Sequence, residues 1–354
     1  MPQQDSYEVA LVVIARDEAP RIERLLRSVA PWVDRMLVLD TGSRDATPAL
    51  AAACGARVEH FDWCDDFSAA RNRALELAGA DWHLVLDADE WLIEGGEALQ
   101  ALRSTTPDFI GALQLRDGFD DAGEQREVSA WLSRVLPGNI RYAGVVHEQP
   151  AHALPVRRLA LQIGHDGYQP ERLQAKRGRN RRLLVQALKA APADAYLHYQ
   201  WGKDCAVYEE HAQAEEGFAR AAERARGDEP WHTDLVVRRL FSLKLLRRHE
   251  LAMEFANAQI ERCADSPDFF FAMGDLLLDL AAEQPARAGE LLPIIEQAWG
   301  QCLALGERPE QAGAVGGRGS WLAAHNLALV LEGTGREPEA QALRAAHPWP
   351  ARSA

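Results

Sequence analysis

Over the first 90 residues the chain alternates between apolar runs and amphipathic stretches. Val9-Ala10-Leu11-Val12-Val13-Ile14 is continuously apolar, the pattern of a strand buried on both faces. Ile22, Leu25, Leu26 and Val29 follow at helical spacing and mark one apolar face. Met36-Leu37-Val38-Leu39 predicts a second strand. A helix follows, capped by Asp45, running through Cys54 and stopped by Gly55. A short third strand is predicted over 58–61, a helix over 67–77 and a fourth strand over 82–86, ending at Asp87. Repetition of strand, helix and strand implies a parallel sheet with helices on both faces.

From 91 to 165 the pattern is less regular. Strands are predicted over 113–116, 130–136, 140–142 and 159–163, with a turn at Pro137-Gly138-Asn139. After Tyr168 strand signals stop, and alanine, leucine and charged residues dominate. A long amphipathic helix is predicted over 172–189. Helix pairs follow over 196–224, 234–263, 269–305 and 321–345. Small residues such as Gly202, Ala206, Ala214 and Ala221 stand at packing positions, with a loop at Gly313 to Gly319. These pairs resemble degenerate tetratricopeptide (TPR) repeats. The expected architecture is an α/β, Rossmann-like domain over 1–170, followed by an all-α, TPR-like domain over 171–354.

A chain of 354 residues suits two domains, and 47% hydrophobic residues suffice for two cores. The formal net charge of −14 argues against a non-specific nucleic-acid binder, which needs a basic face. No apolar run approaches the roughly 20 residues of a membrane span. Residues 1–8 carry no basic segment or apolar core of a signal peptide, so a cytoplasmic protein is expected. Cys54, Cys64, Cys205, Cys263 and Cys302 are scattered and form no C-x-x-C pair, which suggests neither a zinc site nor a disulfide framework.

Candidate chemistry gathers where the predicted strands end. The first ends at Arg16-Asp17-Glu18, the second at Asp40-Thr41-Gly42-Ser43, the fourth at Asp87-Ala88-Asp89-Glu90. Ligands of open α/β sheets bind outside the carboxyl ends of strands. One acidic strand end is commonly a helix cap; three imply a shared site. Asp87 and Asp89 are spaced so that one can bind a hard divalent cation while the other bonds a ribose or a metal-bound water. Such a cation takes oxygen ligands and bridges to substrate phosphates, offsetting charge on a diphosphate leaving group.

Three segments carry a family resemblance: Val13-Ile14-Ala15-Arg16-Asp17-Glu18, Val38-Leu39-Asp40-Thr41-Gly42-Ser43-Arg44-Asp45-Ala46-Thr47, and Asp81-Trp82-His83-Leu84-Val85-Leu86-Asp87-Ala88-Asp89-Glu90. They resemble family 2 glycosyltransferases of the GT-A fold. Three further segments narrow the likeness: Trp63-Cys64-Asp65-Asp66-Phe67-Ser68-Ala69-Ala70-Arg71-Asn72, Tyr142-Ala143-Gly144-Val145-Val146-His147-Glu148, and His165-Asp166-Gly167-Tyr168. They are similar to a branch holding lipopolysaccharide-core glucosyltransferases and SunS-type peptide S-glycosyltransferases. The likeness is specific over about the first 190 residues and architectural beyond.

The resemblance implies an inverting enzyme that moves a hexose from a UDP-sugar, with UDP-glucose first and UDP-N-acetylglucosamine next, using Mn²⁺ or Mg²⁺. It implies that Asp40 reads the nucleobase or ribose, with Ala15, Arg16 and Glu18 lining the same pocket. It puts Arg71 on the nucleotide or diphosphate, Asp87 and Ala88 on the donor, and Asp87, Asp89 and His165 on the metal. Asn72 is expected to be a local hydrogen-bonding partner, and Tyr168 either stacks near the donor or packs at the domain junction. Glu148, 59 residues after Asp89, fits the acceptor's base, and His147 is its rival as base or ligand. The run Arg177-Gly178-Arg179-Asn180-Arg181-Arg182 is read as a solvated helix face, with phosphate or acceptor contact as the alternative.

The acceptor is left as a peptide, a protein or a saccharide, since repeat arrays make concave surfaces that bind extended peptides. A lipopolysaccharide or glycolipid acceptor fits the same catalytic segments. A non-catalytic TPR module with an inactive first domain competes, opposed by the intact Asp87-Ala88-Asp89. A nucleotidyltransferase would need a Gly-rich loop after the first strand, where Ala15-Arg16-Asp17-Glu18 stands instead. No nucleic-acid partner is expected, and a homodimer is left open.

Overall fold

The computed structural model describes residues 6–121, 124–165 and 170–350, with side chains described over 6–116, 130–165 and 178–350. In the first half β1 (Val9–Ala15), α1 (Ile22–Val29), β2 (Arg35–Asp40), α2 (Thr47–Ala53), β3 (Arg57–His60), α3 (Phe67–Ala78) and β4 (Trp82–Asp87) follow one another as the apolar pattern predicts. β5 (Glu90–Glu94), α4 (Gly96–Leu102), β6 (Ile110–Asp121), β7 (Glu124–Pro137), β8 (Arg141–Ala143), β9 (Gln149–Ala151) and β10 (Val156–His165) complete the sheets. β5, α4 and β9 are elements the hydrophobic pattern did not reveal.

The described strands form an eight-stranded sheet in the order β3-β2-β1-β4-β7-β6-β10-β5 and a small pair β8-β9. β1 runs parallel to both β2 and β4, with Ala15 beside Asp40 and Ile14 beside Asp87. The carboxyl ends of three strands therefore lie side by side. β1 is central and buried on both faces, which is why its apolar run is unbroken. Val9, Leu11, Val13 and Ala15 join the core beneath α1 and α2, together with Trp82, Leu84 and Leu86 of β4. Ala10 and Val12 join the opposite core with Ala70, Ala74 and Leu75 of α3. The two-residue period of a strand thus divides one apolar run between two cores.

Local chemistry sets the helix ends. Asp45 accepts from the Thr47 backbone at 2.9 Å, at the start of α2. Asp66 caps α3 by accepting from Ala69 N at 2.9 Å, and Gly79, at φ +57, ends it.

The second half is helical: α5 (Pro170–Ala190), α6 (Ala195–Val207), α7 (His211–Arg224), α8 (His232–Leu245), α9 (His249–Gln259), α10 (Pro267–Glu283), α11 (Ala288–Leu305), α12 (Trp321–Gly333) and α13 (Glu337–Ala346). The predicted helix pairs correspond to α6–α7, α8–α9, α10–α11 and α12–α13. Gly202 of α6 faces the Phe218 ring of α7 so closely that a Cβ would lie 2.5 Å from it. Gly274 of α10 meets Trp299 of α11 in the same way. Small residues at these points let neighbouring helices approach. The chain thus forms a Rossmann-like α/β domain followed by an all-α, TPR-like region.

Contacts divide the chain into two compact units, and the change from one to the other falls inside α5, between Leu183 and Leu184. No described helix is long and apolar enough to cross a membrane. All five cysteines are free; Cys205, Cys263 and Cys302 are buried and Cys64 is exposed.

Candidate functional site

A cleft of about 400 Å³ opens at the carboxyl edge of the sheet. Of the residues singled out in the sequence, Ala15, Arg16, Glu18, Arg71, Asp87, Ala88, Asp89, His147, Glu148 and His165 all line it. Asp40 does not. Its carboxylate is turned onto its own loop, where it accepts from Gly42 N and Ser43 N at 3.2 Å, and Thr41 takes the cleft position. Asp17, at φ +56, is likewise used locally, accepting from Arg44 N at 2.7 Å. Glu18 N donates to Thr47 Oγ1 at 2.8 Å, so the loops after β1 and β2 are stitched together. Asp166, Gly167 and Tyr168 lie outside the described residues.

The acidic turn after β4 forms a compact ionic network. Asp87 receives Arg71 Nη2 on one oxygen at 2.6 Å and Arg134 Nη2 on the other at 2.9 Å. Arg134 Nη2 also lies 3.3 Å from Glu90 Oε1, while Glu90 Oε2 accepts from Asp87 N at 2.7 Å. Burial works against ionisation of Asp87, but Arg134 and Arg71 outweigh it and hold the carboxyl far below its usual range. Glu90 goes the other way: burial, with help from the Asp87 charge, pushes it up to about 7 against the pull of Arg134. β7 delivers Arg134 because it runs antiparallel to β4 with Leu84 opposite Val135.

Glu148 lies on the loop between β8 and β9. Arg71 reaches it as well, through Nε at 2.5 Å from Oε1, and so bridges Asp87 and Glu148. The loop is tied to α3 at two further points. Asn72 exchanges two hydrogen bonds with the Tyr142 backbone, at 2.9 and 2.7 Å, and Phe67 N donates to Val145 O at 2.9 Å. Asn72 is therefore the local partner its position suggested. His147 adopts φ +52, a left-handed conformation that costs a non-glycine residue energy and recurs at functional sites. Two buried polar atoms in the cleft wall, Arg71 Nη1 and Tyr142 Oη, lack a hydrogen-bond partner among the described residues.

His165 ends β10, which pairs antiparallel with β5 so that His165 stands opposite Glu90. This brings His165 Nε2 to 3.5 Å from Asp89 Oδ2. Asp89 and His165 thus place a carboxylate oxygen and an imidazole nitrogen face to face, a pair that could hold a cation. Asp87 differs from them, since both its oxygens are occupied by arginine. Among the described residues no three His, Cys, Asp or Glu side chains cluster as a complete metal cage. Two protein ligands beside an open cleft suit a hard cation that keeps waters and takes substrate phosphates.

Arg134 is the member of this network that sequence reasoning missed, and Glu90 was noted there only as part of the acidic turn. The available signal was a lone arginine inside the apolar run Trp131-Leu132-Ser133-Arg134-Val135-Leu136. Arg179 also lines the cleft, so the arginine run on α5 is not wholly a solvated face. Arg182 of the same run pairs with Asp65 at 2.6 Å.

The chain is similar to several known proteins. Residues 10–139 match the family model described as glycosyl transferase family 2. A TPR repeat-containing protein of Synechococcus elongatus is 37% identical over 73% of this chain and 66% of its own length. The SPbeta prophage-derived glycosyltransferase SunS of Bacillus subtilis is 24% identical over 78% of this chain and 69% of its own. The chain therefore spans about two thirds of the length of these relatives. Glucosyl-3-phosphoglycerate synthase from Mycobacterium tuberculosis overlaps 33% of this chain and 45% of its own, at 26% identity and a TM-score of 0.25. Residues 10–139 thus belong to glycosyl transferase family 2, and a TPR-like helical region follows them.

Proposed function

We propose that the chain is an inverting glycosyltransferase that moves a hexose from a UDP-sugar to a peptide, protein or glycan acceptor, with help from a divalent cation. The observation that carries this reading is the convergence of Asp87, Asp89, His165, Arg71, His147 and Glu148 on one cleft at the carboxyl edge of the sheet. Family membership of residues 10–139 and the likeness to a relative named as a glycosyltransferase support it. The domain over 1–170 would carry the donor chemistry and the helical domain over 171–354 would recognise the acceptor.

Asp89 and His165 would hold Mn²⁺ or Mg²⁺, which supplies positive charge beside the leaving diphosphate. Arg71 contributes a second, permanent positive charge there. Ala15, Arg16, Glu18 and Thr41 line the part of the cleft assigned to the nucleotide. Asp40 supports that wall by ordering its own loop. The acceptor oxygen or sulfur attacks the anomeric carbon while the bond to the diphosphate oxygen breaks. Its proton passes to Glu148, for which His147 is the alternative. Glu148 is held by Arg71, so the residue that grips the donor end also orients the base.

Turnover of a panel of nucleotide-sugars, with Mn²⁺, Mg²⁺ or EDTA, tests the reading. The expected result is metal-dependent release of nucleoside diphosphate from a UDP-hexose. Glu148→Gln should keep donor affinity and lose at least about a hundredfold in transfer, the low end for a general base. Unchanged transfer in Glu148→Gln with loss in His147→Gln would assign the base to His147. Absence of turnover or binding with every donor would contradict the enzyme reading.

A further inference from the structure

We propose that Arg179, together with Arg16, forms a phosphate-binding corner of the cleft. Both guanidinium-bearing residues line it. Arg179 is half-buried, with its guanidinium carbon 5.0 Å above the Phe67 ring. Among the described residues its side chain makes one hydrogen bond, a long one from Nε to Asn180 Oδ1 at 3.4 Å. Among the described residues no carboxylate lies within ion-pair distance of it. Among the described residues Arg16 pairs only with its chain neighbour Asp17, at 3.9 Å, and that carboxylate also accepts from Arg44 N at 2.7 Å. The other two cleft arginines are committed, Arg71 to Asp87 and Glu148, and Arg134 to Asp87 and Glu90.

Two guanidiniums sharing a partly buried cleft repel each other, and burial raises the cost. Burial chiefly, then the charge of Arg16, lowers the proton affinity of Arg179, with Glu18 opposing. Such an arrangement is stable when an anion sits between the charges. Arginine forks match phosphate oxygens in geometry as well as in charge. The phosphate belongs either to the diphosphate of the donor or to a phosphorylated acceptor. The inference rests on the proposed function only for that choice; phosphate binding itself does not depend on it.

The test is calorimetric titration of inorganic pyrophosphate into the full chain, in EDTA so that no metal bridge contributes. Wild type should bind, Arg179→Gln and Arg16→Gln should each weaken binding about tenfold or more, and Arg179→Lys should fall between. Arg182→Gln, on the same helix but bonded to Asp65, should match wild type. Displacement of pyrophosphate by UDP assigns the phosphate to the donor; simultaneous binding assigns it to the acceptor. Absence of pyrophosphate binding in wild type, or wild-type affinity in Arg179→Gln, overturns the inference. So does a loss confined to a thermally destabilised Arg179→Gln while Arg16→Gln binds normally. Arginine-dependent pyrophosphate binding in a chain that turns over no nucleotide-sugar would sink the donor reading and leave this one standing.

Discussion

Arg134 sits where its removal has more than one consequence. Its Nη2 serves Asp87 and the nearly solvent-free Glu90 together. Arg134→Met would leave those carboxylates with Arg71 as their remaining described arginine partner, through Asp87 alone. Breaking a buried pair by deleting one partner costs on the order of 3 kcal/mol or more. Chemical denaturation should register that loss, and donor affinity should fall with it. Unchanged stability would mean the network relaxes through solvent. The acidic turn itself was legible because Asp87 and Asp89 interrupt an apolar run. Arg134 was not, because its contact with Asp87 arises from a strand that returns 47 residues later. Asp40 was legible as a strand end; its carboxylate orders its own turn, as a carboxylate followed by Thr-Gly-Ser readily does.

His83 gives a pH signature independent of the cleft. It is 1% exposed on β4 and accepts from Ala80 N through Nε2 at 3.3 Å. Burial chiefly, then the charges of Arg141 and Arg35, lower it to about 4, against Asp81. The folded chain therefore holds the neutral ring while the unfolded chain takes up a proton below about 6.5. Stability contributed by neutral His83 is present above that value and is lost as pH falls toward 4, on the order of 3 kcal/mol in all. His83→Gln should flatten the dependence of unfolding free energy between pH 6.5 and 4. An unchanged slope would show that other groups dominate it.

Secondary structure was most legible where burial imposes a simple period. β1, β2 and β4 are apolar on both faces, and α1 shows one apolar stripe. β5 was hidden because it begins inside the acidic turn and pairs only at the sheet edge with β10. That pairing also carries His165 to Asp89, an approach that the hydrophobic pattern did not reveal. In the helical half, Gly202 and Gly217 mark the close approach of α6 and α7. Gly202→Ala gains intrinsic helix propensity, about 1 kcal/mol. It also drives a methyl group into Phe218, at a cost of about 1–3 kcal/mol. Net destabilisation in urea unfolding is expected. Net stabilisation would show that the Phe218 ring yields easily.

Among the described residues, the hydrophobic clusters of the sheet and those built from α6 to α13 stand apart in sequence. The composition shift near Tyr168 announced this division. The contact division at Leu183 and Leu184 was not legible, because α5 runs continuously through that point. Charge tells a similar story of local against global. The chain carries a net −14, yet four arginines line the cleft among the described residues. Composition argued against a broad basic face and left room for a local anion site held by a few arginines. The acceptor was not legible either, since the motifs end before the helical half begins.

In the proposed function the cleft holds a nucleotide-sugar through a cation on Asp89. Calorimetric titration of UDP-glucose into the wild-type chain and Asp89→Ala, each with Mn²⁺ and with EDTA, tests it most directly. Wild type should bind at least about tenfold more tightly with Mn²⁺ than with EDTA, a difference of about 1.4 kcal/mol, and Asp89→Ala should show no such difference. Equal affinity of wild type in Mn²⁺ and EDTA, or a metal response that survives in Asp89→Ala, would contradict the account.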